Sequence, residues 1–115
     1  IDHPSEYAML QNNLGNALQY LPSSHPVENN MRAIAAYNEA LKVRTRQDTP
    51  LEYANTISNK ANALSNLPDD WEKPKAGNPK NLAQASNYYQ ESLAIFTQYG
   101  QIEQAQTVAQ ALEEL

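Results

Sequence analysis

Pro4-Ser5-Glu6-Tyr7-Ala8-Met9-Leu10-Gln11-Asn12-Asn13-Leu14-Gly15-Asn16-Ala17-Leu18-Gln19-Tyr20-Leu21-Pro22 decides the fold of this chain. Tyr7, Leu10, Leu14, Leu18 and Leu21 recur by threes and fours, which sets one apolar stripe along an α-helix. The stretch returns 46 residues later: Pro4, Tyr7 and Ala8 fall on Pro50, Tyr53 and Ala54. Asn13, Asn16, Ala17, Leu18, Leu21 and Pro22 fall on Asn59, Asn62, Ala63, Leu64, Leu67 and Pro68. Further on the offset becomes 52, where Asn29, Ala33, Tyr37, Glu39, Leu41 and Thr45 meet Asn81, Ala85, Tyr89, Glu91, Leu93 and Thr97. The second copy thus carries six extra residues around Asp69 to Asn78. Two copies of one helical hairpin is the economical explanation.

The boundaries agree with it. Ile34, Tyr37 and Leu41 make a stripe, as do Leu82, Tyr89, Leu93 and Phe96 with the small Ala85 between them. Thr49-Pro50-Leu51-Glu52 has the form of a capping box, with a hydroxyl, a first-turn proline and a Glu three residues on. Asn78-Pro79 opens a later helix in the same way, and Pro22 and Pro68 close two others. The expected helices lie near 5–21, 28–46, 50–67, 79–99 and 101–114. The last, with Ile102, Ala105, Val108, Ala109 and Leu112 after a break at Gly100, copies neither hairpin start and is expected to cap the stack. Ala17, Ala33, Ala36, Ala40, Ala63 and Ala85 are the expected points of close approach, with Leu18, Leu41, Leu64 and Leu93 as filling. The expectation is one all-α domain over 1–115: hairpin 1 about 5–46, hairpin 2 about 50–99, and a capping helix about 101–114. A start on Ile1 rather than Met suggests a piece of a longer protein.

Composition narrows the function. No cysteine is present, which removes disulfides, thiolate nucleophiles and Cys-ligated zinc. A formal charge of −5 argues against nucleic acid or an anionic membrane as partner, since both need a basic face. No apolar run reaches membrane-spanning length and no export segment is recognisable, so a cytoplasmic location is expected. The 13 Asn and 10 Gln sit among regularly spaced apolar residues, unlike a disordered tract. His3 and His25 stand alone in proline-flanked loops, Asp69-Asp70 lacks the rest of a calcium loop, and three glycines form no phosphate loop. The expectation is a protein that is not an enzyme, with no cofactor and no metal site.

Leu14-Gly15, Leu18 and Ala33-x-x-x-Tyr37-x-x-Ala40, followed by Ala61, Leu64, Ala85, Tyr89 and Ser92, resemble the tetratricopeptide repeat: a small residue on the first helix, then alanine, aromatic and alanine on the second. The resemblance covers residues 5–97. It departs in its period, 46 against about 34 for the family, and in the missing aromatic of the first helix, near whose place stand Gln11 and Ile57. Long-period arrays in large bacterial proteins, cyanobacterial ones especially, are similar, and some are joined to caspase-like protease or NTPase signalling domains.

What the resemblance implies is a right-handed α-solenoid of antiparallel hairpins that binds a peptide or partner helix on its concave surface. Carried over residue by residue, that wall presents Asn12, Asn16, Gln19, Asn55, Ser58, Asn62 and Asn66. Amides suit the task, because each donates and accepts toward a peptide backbone at once. The plainer alternative is that these side chains tie neighbouring helices together. Lysines and arginines that would grip a ligand carboxylate are missing from this wall, Lys60 being one step off it. Functionally, the alternative is a structural scaffold or oligomerisation segment, which calls for an apolar, self-associating end around residues 5–21. Tyr20, Tyr88, Tyr99 and Trp71 are the aromatics left outside the core pattern; Trp71, in the inserted loop, is expected to fold back onto the helices. Arg32, Lys42, Arg44 and Arg46 read as a solvated basic end of the second helix.

Overall fold

Each of the four long proline-led helices starts from the same physics. His3, His25, Thr49 and Asn78 precede prolines and hold φ between −126° and −143° with ψ between 45° and 74°, outside the α region that a following proline disfavours. The proline then occupies the first turn, where its missing N–H costs nothing. The computed structural model describes residues 3–115, so Ile1 lies outside it. The helices are α1 (Pro4–Tyr20), α2 (Pro26–Ala40), α3 (Pro50–Ser65), α4 (Pro79–Gln98) and α5 (Ile102–Glu113), with one 3₁₀ turn at Pro74–Ala76. No strand occurs among the described residues. The radius of gyration is 14.1 Å, near the ~13 Å of a compact chain of this length.

Helices pack mainly in sequence order: α1 on α2, α3 on α4, with α3 also against α2 and α5 against α4. The same clasp closes both hairpins. Tyr7 donates to Glu39 at 2.9 Å, and Tyr53 reaches both oxygens of Glu91 at 3.1 and 3.2 Å. These join the start of one helix to the second half of the next, so each pair runs antiparallel. The main core gathers Ala54, Ala61, Leu64, Ala85, Tyr89, Ile95, Phe96 and Val108. A smaller cluster of Ala33, Tyr37 and Ala63, with Leu18 and Ile34 against it, joins the first hairpin to the second.

Several expectations are corrected. α2 stops at Ala40, not 46, while α4 stays helical to Gln98 over the matching stretch. The difference is burial: Ile95 and Phe96 are 1 % and 4 % exposed, whereas the first copy carries Lys42, Arg44 and Arg46 there. Thr45 and Thr49 instead close a turn, the Thr49 hydroxyl accepting from the Thr45 N–H at 2.9 Å. That hydroxyl points backward and makes no side-chain cap on α3, so the capping box is not formed. α4 is capped by a residue far from its own start. Asp69, in the inserted loop, accepts from the N–H groups of Lys80 and Asn81 at 2.9 and 2.8 Å. Asn78 meanwhile donates to the Ser65 carbonyl at the end of α3, and Asn81 to that of Leu67. The expected break at Gly100 is present: φ is +71°, and Gln101 and Gly100 donate to the Phe96 and Thr97 carbonyls in the manner of a Schellman turn.

Ala33, Ala36, Ala40, Ala63 and Ala85 are buried as expected, but Ala17 is exposed. Leu10, Leu14 and Leu21 lie on the same open side of α1, at 61 %, 46 % and 61 % exposure. Leu10, Leu14 and Leu21 of the stripe that identified the helix therefore face outward, while Tyr7 and Leu18 are half-buried. What α1 buries instead is Ala8, Asn12 and Gly15.

Candidate binding channel between α3 and α5

All seven residues expected on the wall make side-chain hydrogen bonds within the protein, Asn55 as an acceptor from its neighbours. Asn12 is 5 % exposed. Its Oδ1 accepts from the Thr56 hydroxyl at 3.1 Å and from Asn59 Nδ2 at 3.2 Å. Thr56 in turn accepts from Arg44 at 3.0 Å, and burial lowers the pKa of that guanidinium. Asn16 accepts from the Tyr37 hydroxyl at 2.6 Å. Gln19 donates to Tyr37 at 2.7 Å and to the Asn59 carbonyl at 3.0 Å, and accepts from Asn62 at 2.7 Å. Asn62 also donates to the Tyr20 hydroxyl, Asn66 to the Asn62 carbonyl, and Ser58 to the Asn55 carbonyl. The result is a polar seam sewing α1 to α3. Burial pushes the Tyr37 phenol up to about 12, only partly opposed by the Gln19 amide. For Asn12, Asn16, Gln19 and Asn62 a seam, not an open wall, is where the repeat pattern led.

Asn55 and Ser58 are placed differently. They flank two adjoining cavities of about 230 and 330 Å³ that run between α3 and α5. Both cavities touch Asn55, Phe96 and Gln104. Asn12 and Arg44 line the first, with Glu52 and Gln101; Asn59, Glu103, Thr107 and Val108 line the second. Asn55 is exposed, its Oδ1 accepting from Asn12 at 3.5 Å and from Asn59 at 3.3 Å, while its NH₂ donates to none of the described residues. Among the described residues, the side chains of Gln101 and Gln104 make no hydrogen bond. Thus α5, taken from the sequence as a cap, supplies the far wall. Its contribution was hidden because lone glutamines on an exposed face carry no pattern; only their position opposite Asn55 marks them.

The other candidates resolve as follows. At the basic end of the second helix Lys42 pairs with Glu39 and Arg46 with Glu91 at 3.1 Å, while Arg44 donates to the uncharged Thr56 hydroxyl. Lys42 and then Tyr7 hold the Glu39 carboxyl below its usual range. Lys60 lies over the Tyr88 ring, 4.9 Å from its centre, and donates to its hydroxyl. Trp71 does not fold back: it stays 64 % exposed beside a cavity of about 590 Å³, with Val27 and Met31 across from it. Asp69 caps α4, and Asp70 accepts from the Glu72 N–H. His3 and His25 are the residues preceding α1 and α2. No helix among the described residues is long and apolar enough to cross a membrane. No protein-family model matches this chain, nor does any curated protein or any solved structure.

Proposed function

We propose that this protein is a protein-interaction module, built as a tetratricopeptide-like solenoid, that holds an extended peptide segment of a partner in the channel between α3 and α5. The observation carrying this is the convergence of the Asn55, Gln101 and Gln104 amides on an open channel with Phe96 as an apolar floor. Amides that donate and accept together can satisfy both edges of a peptide backbone, and Phe96 offers surface for an apolar side chain. Glu52 and Glu103 line the channel against one cation, Arg44, which donates to Thr56. With a net charge of −5, the favoured ligand is a neutral to basic segment.

The test is a nuclear magnetic resonance titration with short unstructured peptides of basic, neutral and acidic composition. Shifts should concentrate at Asn55, Gln101, Gln104 and Thr107 with basic peptides, and an Asn55→Ala, Gln104→Ala double variant should lose them while keeping the native melting temperature. Shifts confined to other surfaces, or undiminished in that variant, would sink the proposal. Asn16 and Asn62 are poor choices for such a test, because both are tied into the seam.

A further inference from the structure

We infer that the apolar groove between α4 and α5 binds an amphipathic helix of a partner protein, one that lies on α5 as α2 lies on α1 and α4 on α3. α5 opens as α3 does. Ile102-Glu103-Gln104-Ala105-Gln106-Thr107-Val108 echoes Leu51-Glu52-Tyr53-Ala54-Asn55-Thr56-Ile57 at an offset of 51. It also packs on α4 as α3 packs on α2. Each first helix gives its second helix one row of positions. On α1 the row is Ala8, Gly15 and Leu18, with the Tyr37 ring against Gly15 and Leu18 beside it. On α3 it is Ala54, Ala61 and Leu64, clustered with Ala85 and Tyr89 of α4 and no more than 5 % exposed. On α5 the same row is Ala105, Leu112 and Leu115. Here Ala105 and Leu112 are only half-buried, Leu115 is 41 % exposed, and Ile102 beside them is 70 % exposed. The row covered twice within the chain is left half open the third time.

The two covered copies also show what chemistry covers it. Against Ala54 stands Ser92, whose hydroxyl donates to the Ala54 carbonyl at 2.9 Å. The matching place on α2 is Ala40, buried like Ala8. Helices approach this closely only where both side chains are small, so the partner helix carries Ala, Ser or Gly opposite Ala105. One feature of α2 and α4 has no place in it. Leu112 stands where Gly15 and Ala61 leave room for a tyrosine ring, so the partner helix lacks that aromatic. The groove, about 290 Å³, is lined by Leu93, Phe96, Ile102, Ala105 and Ala109 and by no charged residue. The docking face is therefore apolar, since a charge buried there would go unpaired. Around the groove the charge has one sign. α5 and its end carry Glu103, Glu113 and Glu114, and no Lys or Arg follows Lys80. A partner helix with a basic outer face is favoured accordingly.

Nothing in this depends on the channel between α3 and α5, although Phe96 and Gln101 border both. α4 itself is the template for a probe: a peptide of residues 79–98 with Tyr89→Ala, which removes the ring that Leu112 excludes. Gln84→Lys, Asn87→Lys and Gln90→Lys, all at exposed positions of α4, give the peptide its basic outer face. Titrated into the isotope-labelled 115-residue chain, it should shift the amide resonances of Ile102, Ala105 and Ala109. Adding Ser92→Gln to the peptide should weaken binding about tenfold, as should Ile102→Glu in the chain. Ile102 is exposed, so that variant should keep native helicity and melting; Ala109→Glu replaces it should it not. An absence of shifts at millimolar peptide, or equal binding by the Ser92→Gln peptide, would overturn the inference. Shifts at Asn55 and Gln104 alone would assign the peptide to the channel, and shifts at Leu10 and Leu14 to the open side of α1; either result overturns it as well.

Discussion

Tyr37 shows how much one side chain governs here. It is wholly buried, its ring lies against Gly15, and its hydroxyl joins Asn16 and Gln19 at 2.6 and 2.7 Å. A Cβ added at Gly15 would stand 2.6 and 2.8 Å from the Tyr37 Cζ and Cδ1 atoms. Gly15→Ala should therefore lower stability by about 1–3 kcal/mol through overpacking, although alanine is the better helix former; urea unfolding measures it, and a stabilised variant would refute the contact. Tyr37→Phe removes the hydroxyl and should cost about 1–2 kcal/mol. The phenols of Tyr37, Tyr53 and Tyr89 are each raised from 10.0 to about 12, chiefly by burial. The unfolded chain then releases these protons first as pH rises. Stability from this source is complete below pH 10 and is lost as pH climbs toward about 12. Thermal melts across that range should show a steep fall, shallower in Tyr37→Phe; equal slopes in both proteins would mean the Tyr37 proton plays no part.

At the level of the helix, the inserted loop has a definite structural duty. Its Asp69 carboxylate takes two of the N–H groups that α4 leaves open at its start, and a negative charge there also suits the helix dipole. Asp69→Ala should cost about 1–2 kcal/mol, with Asp69→Asn intermediate. Hydrogen exchange should register the loss first at Lys80 and Asn81, and unchanged protection at those amides would place the cap elsewhere. The neighbouring Asp70, bonded only to the Glu72 N–H within the exposed loop, is the control and should tolerate alanine within about 0.5 kcal/mol.

Across the whole molecule, the stacking of one hairpin on the next sets which copy of a repeated residue matters. Ala17 and Ala63 are equivalent in the repeat, yet one is open and the other fully covered against Tyr37 and Leu18. Ala63→Leu should destabilise by about 1–3 kcal/mol, while Ala17→Leu should change stability by less than about 0.5 kcal/mol. Chemical denaturation of the two variants side by side decides the matter; equal costs would mean that the two faces are covered alike. The amide seam is the other half of that interface. Asn12 and Gln19 hold α1 to α3 by hydrogen bonds where an ordinary interface would use leucine, and each amide lost would leave partners unpaired.

The spacing of apolar residues in Pro4–Pro22, its return at Pro50–Pro68, and the X-Pro junctions were enough to give five helices, the order of their pairing and most of their ends, because periodicity, proline and glycine act locally. The Tyr7–Glu39 and Tyr53–Glu91 clasps follow from the same repeat. Which side of a helix faces which neighbour was not written there. Periodicity marks a stripe without saying whether anything covers it, so Leu10, Leu14 and Ala17 read like core and stand outside. The asparagines pointed to an interface but not to whose: folding set Asn12, Asn16, Gln19 and Asn62 against partners tens of residues away, and left Asn55 facing Gln104 across an open channel. That choice belongs to the tertiary structure, since an amide satisfies any neighbour of suitable geometry and only packing determines which neighbour arrives.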